Sequence, residues 1–213
     1  MSLELWLSFV VASLALLVIP GPTVMLVISY VLGRGRKSAL ATVPGVALGD
    51  LTAMTISLAG AGAVLAASAT LFTVLKLIGG AYLLFLGVQL WRSAPAENHL
   101  EPTEPDQDVL TNNTRKMFWN AFLVTALNPK GIVFFIAFVP QFVDPAAPAL
   151  AQFALLEFTF VGLATLVVTC WAMVAGGLRA KFRKPTTLKW VNRIGGSFLM
   201  GAGLLTAVVR RAT

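Results

Sequence analysis

The sequence predicts an all-α polytopic membrane protein with six transmembrane helices, arranged as two inverted three-helix repeats. Three observations lead there. Hydrophobic residues make up 57% of the 213 residues and charged residues only 12%, whereas a soluble chain carries about a quarter charged. A surface in water needs more polar cover than that, so lipid is the natural solvent. Six apolar runs have the length of a membrane-crossing helix, about 20 residues, and none alternates polar and apolar as barrel strands do. Finally, the two halves of the chain repeat their motifs in the same order.

The runs lie near residues 5–32, 38–66, 70–91, 117–140, 149–178 and 188–209. Glu4 stands before the first run in place of a basic segment. That run is too long for a signal-peptide core and shows no cleavage site, so it reads as a retained span. The first connection carries Arg34, Arg36 and Lys37, the third Arg92, Arg115 and Lys116, and the fifth Arg179, Lys181, Arg183, Lys184 and Lys189. The second, at 68–70, has no charge, and the fourth, at 141–148, has only Asp144. Positive charge on alternate loops places those loops in the cytoplasm and both termini outside it. Arg210 and Arg211 oppose this and are outvoted. The net charge of +7 therefore faces anionic lipid; the bases form no aromatic-interleaved stripe, and nucleic acid is not expected as a partner.

Residues 1–91 form the first repeat and 117–213 the second. Between them, 92–116 read as a cytoplasmic linker rich in acid and proline, with Glu97, Glu101, Glu104, Asp106, Asp108, Pro95, Pro102 and Pro105; such a segment buries too little to fold alone. The third run contains Ile78-Gly79-Gly80-Ala81-Tyr82-Leu83-Leu84 and then Gly87. The sixth contains Ile194-Gly195-Gly196-Ser197-Phe198-Leu199-Met200 and then Gly203. Because each half has an odd number of spans, the second enters the membrane upside down. This is a transporter architecture, with the substrate site at the repeat interface.

The candidate chemistry lies where the runs are interrupted. Pro20-Gly21-Pro22 falls in the middle of the first run. Two prolines remove two backbone donors, so the helix kinks or opens, and its free carbonyls need protein or a water-lined cavity. The matching interruption is Asn128-Pro129-Lys130-Gly131 in the fourth run. Twelve residues separate Lys116 from Asn128, about 18 Å of helix, which reaches mid-bilayer. Lys130 either lines a cavity there or snorkels to the outer interface. Asp50 is the only acid deep in the second run, about 20 Å of helix beyond Lys37. An aspartate cannot snorkel far. It pairs with Lys130, binds a substrate ammonium or carries a coupling proton. Glu157 lies about 10 Å of helix into the fifth run, where it lines a path or reaches the interface. Gly45 and Gly49 form a face for close helix packing. Trp6, Trp91, Trp119 and Trp190 stand near span ends, as interfacial aromatics do. Cys170 reads as a small packed hydrophobe, and His99, the only histidine, lies in the linker. No metal or other cofactor is expected. No histidine lies in the membrane and no phosphate-binding loop ends in Lys-Ser/Thr, so hydrolase and ATPase chemistry is unsupported.

At Pro20-Gly21-Pro22, the Gly45 to Asp50 segment, Leu127-Asn128-Pro129-Lys130 and Gly79-Gly80 the chain resembles the lysine-exporter superfamily, in its homoserine/threonine-resistance branch of amino-acid efflux proteins. The resemblance spans essentially the whole chain. It implies a secondary, proton-coupled amino-acid exporter of a bacterial cytoplasmic membrane, and no enzyme. Pro20, Gly21, Pro22, Asp50, Asn128, Pro129 and Lys130 are then the expected substrate site, Asp50 the expected proton carrier, and Asp144 and Glu157 candidate gate residues. The expected partners are a small amino acid, protons and membrane lipid, with a homodimer as an option. A metal-ion or other small-solute exporter on the same scaffold is the alternative. It is disfavoured because soft metals want thiolate and imidazole, and in the membrane runs only Cys170 offers one.

Overall fold

The computed structural model describes residues 1–92, 114–144 and 147–175, together with Arg193, Gly196, Ser197, Met200, Gly201 and Leu204. The described chain is helical. In order come α1 (Leu3–Val18), α2 (Pro22–Arg34), a 3-10 turn (Arg36–Ser38), α3 (Ala39–Ala67), α4 (Ala69–Arg92), α5 (Thr114–Ala126), α6 (Pro129–Ala137), a second 3-10 turn (Val139–Phe142) and α7 (Ala149–Ala175). Residues 93–113 of the linker, His99 among them, and most of the sixth run lie outside the described residues.

The first and fourth runs are broken rather than continuous. α1 and α2 meet at 52°, and α5 meets α6 with its following turn at 45°. Proline supplies the cause each time, standing at the first position of α2 and of α6. There its missing N–H costs nothing, while the preceding helix cannot continue. α3 and α7 are each long and apolar enough to cross a membrane, and each bent pair passes the same test as one broken span, giving two to four candidate spans among the described residues. α4 is a 24-residue helix whose apolar stretch is Leu77–Gln89. Six spans and the inverted repeat therefore remain expectations of the sequence.

The turn into α3 is made by Gly35, at φ 83° and ψ 171°. That conformation is essentially closed to residues with a Cβ, and it delivers Arg34, Arg36 and Lys37 to one end of the bundle. α3 is the central helix, packed on α5, α6 and α7. Gly45 and Gly49 make the α5 contact possible. A Cβ on Gly45 would collide with the Phe118 carbonyl, and one on Gly49 would stand 2.8 Å from the Phe122 carbonyl oxygen. The small-residue face expected from the sequence is thus a backbone-to-backbone seam.

Two apolar cores fill the bundle. One joins α1, α6, α7 and the second half of α3, and it is aromatic: Phe9, Phe134, Phe135, Phe138, Phe142 and Phe160 are all buried in it. The other joins α2, α5 and the remaining parts of α3 and α7 through Val24, Val27, Ile28, Val31, Val46, Ala121, Val168 and Ala172. α7 serves both with one stripe repeating every fourth residue, from Gln152 through Leu156, Phe160, Ala164 and Val168 to Ala172. Cys170 does not lie on that stripe. It is exposed, which corrects the expectation of a packed hydrophobe: its helical phase turns it away from the buried face.

Candidate functional site

The two cores part where the helices break, and a polar layer occupies the parting. An α-helix pairs each carbonyl with the N–H four residues on. The donors for Leu16 and Val18 would be residues 20 and 22, both proline. The first break therefore exposes acceptors that its own chain cannot satisfy. Lys130 satisfies one of these, together with the neighbouring Ile19 carbonyl. Its Nζ donates to the carbonyl oxygens of Leu16, at 3.2 Å, and Ile19, at 3.1 Å. Gly21 leaves the room, since a Cβ there would lie 3.2 Å from Nζ. Lys130 is half-buried and turns inward to the opposite break instead of reaching for an interface. A cation at the C-terminal end of α1 also suits the helix dipole.

The second break is built otherwise. Pro129 removes the usual donor to the Thr125 carbonyl, but Asn128 N–H replaces it at 3.0 Å. The Asn128 side chain then caps α6, its Oδ1 accepting from Lys130 N–H at 3.1 Å. Its Nδ2 donates across to Thr23 Oγ1 in the first turn of α2, at 3.3 Å, where the Thr125 hydroxyl also donates at 3.3 Å. Lys130 and Asn128 thus tie the two breaks together by three side-chain bonds, two to backbone and one to Thr23.

Asp50 follows Gly49, whose contacts with Phe122, Thr125 and Ala126 put it beside the end of α5. It is 9% exposed. Among the described residues no group donates a hydrogen bond to its carboxylate. It interacts electrostatically with Lys130 without forming a direct ion pair. The site therefore brings together a cation held on backbone carbonyls, a nearby unpaired carboxylate and the amide and hydroxyl groups of Asn128, Thr23 and Thr125. Among the described residues no cluster of His, Cys, Asp and Glu has the makings of a metal site.

The LysE type translocator family matches residues 14–209, which include both breaks, Asp50 and Lys130. This chain belongs to the LysE family. Its family members are translocators, not enzymes. Among the LysE relatives is an uncharacterized membrane protein of Vibrio cholerae, 32% identical over 99% of this chain and the whole of the relative. The homoserine/homoserine lactone efflux protein of Salmonella typhimurium is 31% identical over the full length of both chains. The leucine efflux protein of an Enterobacter species is 26% identical over 92% of this chain and 90% of its own. No solved structure matches the chain.

Not every residue singled out from the sequence joins this arrangement. Glu157 on α7 accepts a hydrogen bond from Thr55 on α3 at 2.5 Å. Asp144 lies in the loop before α7, and its backbone exchanges bonds with the Gln152 side chain, N–H to Oε1 at 2.8 Å and Nε2 to O at 2.9 Å. Gln152 is 5% exposed and also reaches the Ala147 carbonyl at 3.1 Å, so it clips that loop to the bundle. Gln152, Thr23, Thr125 and the Leu16 and Ile19 carbonyls were not singled out from the sequence. The Leu16 carbonyl had a signal, a proline four residues on. The hydroxyls had none, since threonine in an apolar helix normally bonds its own backbone, as Thr165 and Thr169 do here.

Proposed function

We propose that this LysE-family chain is a secondary exporter of amino acids across the bacterial cytoplasmic membrane, with the paired helix breaks as its substrate site and Asp50 as its proton carrier. The observation that carries the reading is the meeting of the two breaks around Lys130. Broken helices present backbone carbonyls and half-helix dipoles to a ligand at the middle of a membrane, and a zwitterion needs both an anion-favouring and a cation-favouring partner. Lys130 and the N-terminus of α6 answer a carboxylate. Asp50 and the carbonyls ending α1 answer an ammonium. The names of the Salmonella and Enterobacter relatives support amino acids and their close derivatives as cargo. Homoserine, its lactone and leucine share an α-ammonium, whereas the lactone has no free carboxylate.

Asp50 suits proton coupling because it is buried, unpaired among the described residues and near the cation, so its protonation and the position of Lys130 are electrostatically linked. The full reading has six spans in two inverted repeats and both termini outside the cytoplasm. The paired breaks favour it, as does the close approach of Gly87 to Gly196, where a Cβ on Gly87 would lie 2.7 Å from the Gly196 carbonyl oxygen.

The test is direct. Proteoliposomes loaded with a mixture of labelled amino acids are given a proton gradient, and the labels that leave are identified. The expected result is selective, gradient-dependent loss of a few amino acids. No gradient-dependent loss of any amino acid would refute the reading.

A further inference from the structure

We infer that the carbonyl oxygens of Leu16 and Ile19 are the subsite for the substrate's α-ammonium, and that the ammonium of Lys130 is its resident stand-in, which substrate must displace. The inference rests on the exporter reading and deepens it by assigning one half of the ligand.

The geometry is that of an occupied ammonium site. A primary ammonium has three donors and no acceptor. Lys130 Nζ spends two of them on the Leu16 and Ile19 carbonyls, at 3.2 and 3.1 Å, and an alkylammonium ion presents the same group. The carbonyls are acceptors by construction, since Pro20 strips Leu16 of its helical donor and α1 ends before Ile19 can find one. They remain acceptors whichever ammonium is bound. Gly21 keeps the approach open, with a would-be Cβ meeting only the end of the lysine side chain, Nζ at 3.2 Å and Cε at 3.6 Å.

The occupant is tethered but not locked. Both bonds are of ordinary length, and the lysine stem is flexible. Lys130 has somewhere to go, because Asp50 is buried, electrostatically coupled to it and without a hydrogen-bond donor among the described residues. A purely structural cap would need no such second partner. In this arrangement an incoming ammonium takes the carbonyls. Lys130 swings to the substrate carboxylate or, for a ligand lacking one, to Asp50. The carbonyls are never left bare in the membrane, which would be costly. A zwitterion brings no net charge, so with it empty and loaded sites hold the same charge; a ligand lacking the carboxylate adds one positive charge beside Asp50.

Binding to purified full-length protein tests this with n-butylammonium as the probe and butyrate as its carboxylate counterpart. Lys130→Met removes the stand-in while keeping an unbranched side chain. Lys130→Arg keeps a cation in place. The expected result is n-butylammonium binding on the order of tenfold tighter in Lys130→Met than in wild type, with no gain in Lys130→Arg. Unchanged or weaker binding in a monodisperse Lys130→Met protein would overturn the inference. A reading on wild type needs no variant: n-butylammonium should displace a labelled amino acid, and its failure to compete would also overturn it. The exporter reading fails separately, if no labelled amino acid binds or moves while n-butylammonium still gains in Lys130→Met.

Discussion

The two helix breaks use the same residue for opposite ends. At the first, Pro20 and Pro22 leave carbonyls at the end of α1 that nothing nearby in sequence satisfies, and the N-cap of α2 is Gly21, which has no side chain to cap with. At the second, Asn128 N–H repairs the Thr125 carbonyl, and Asn128 Oδ1 caps α6. One break is self-sufficient and carries spare donors; the other leaves the carbonyls ending α1 to its partner. The difference shows that proline alone does not decide what a helix break exposes. At the first break the carbonyls are left unsatisfied locally, and a long side chain from the other break completes them.

Removing the shared group should have the largest effect. Lys130→Met leaves the Leu16 and Ile19 carbonyls without donors, a loss of about 1–3 kcal/mol each where no water enters. Net export should fall by more than about tenfold, since a missing charge-assisted contact alone is worth that much. Purified protein should melt at a lower temperature, with Lys130→Arg recovering stability more than transport. If Lys130→Met exports and melts as wild type does, the first break does not depend on the second.

The seam that holds Asp50 beside the breaks comes next. Gly49→Ala drives a Cβ against the Phe122 carbonyl and Thr125 Cβ, each at 2.8 Å, and should cost about 1–3 kcal/mol through overpacking. Gly60 has nothing within 4 Å, so Gly60→Ala is the matched control and should melt no lower than wild type, gaining up to about 1 kcal/mol of helix propensity. Equal melting of the two variants would remove the close α3–α5 approach from the account.

Asn128→Ala takes away the cap and the bond to Thr23. A lost N-cap costs about 1 kcal/mol, so export should drop several-fold in a protein that still folds. Thr23→Val is the mildest change. It deletes an acceptor of two bonds, each 3.3 Å long, and should trim export by less than Asn128→Ala does. A larger loss from Thr23→Val would mean that the threonine, not the asparagine, organises the second break.

Much of this was legible in the sequence. The break positions were readable at Pro20, Pro22 and Pro129, where a proline pair flanks a glycine or a proline follows asparagine; a single proline does not suffice, since Pro44 stands inside α3 without breaking it. Gly45 and Gly49 were readable as a packing face because four residues separate them on one side of a helix. The partner of Lys130 was not readable: depth along a helix gives the height of a side chain but not its azimuth, and snorkelling was also open to it. The role of Gln152 was hidden for a similar reason, since its bonds close an irregular loop for which no periodicity exists. Cys170 was misjudged because hydrophobicity in a membrane helix does not separate lipid-facing from packed positions. Asp50 stood out by charge alone, and its isolation among the described residues became visible only with the helices in place.

Asp50 is therefore the residue on which the central claim is best tested, by measuring net export and substrate-for-substrate exchange side by side in proteoliposomes containing Asp50→Asn. Asparagine keeps the shape and loses the charge and the exchangeable proton. The account predicts a protein that inserts in normal yield and still exchanges labelled for unlabelled amino acid, while net export driven by a proton gradient disappears. Wild-type net export by well-folded Asp50→Asn protein would contradict it.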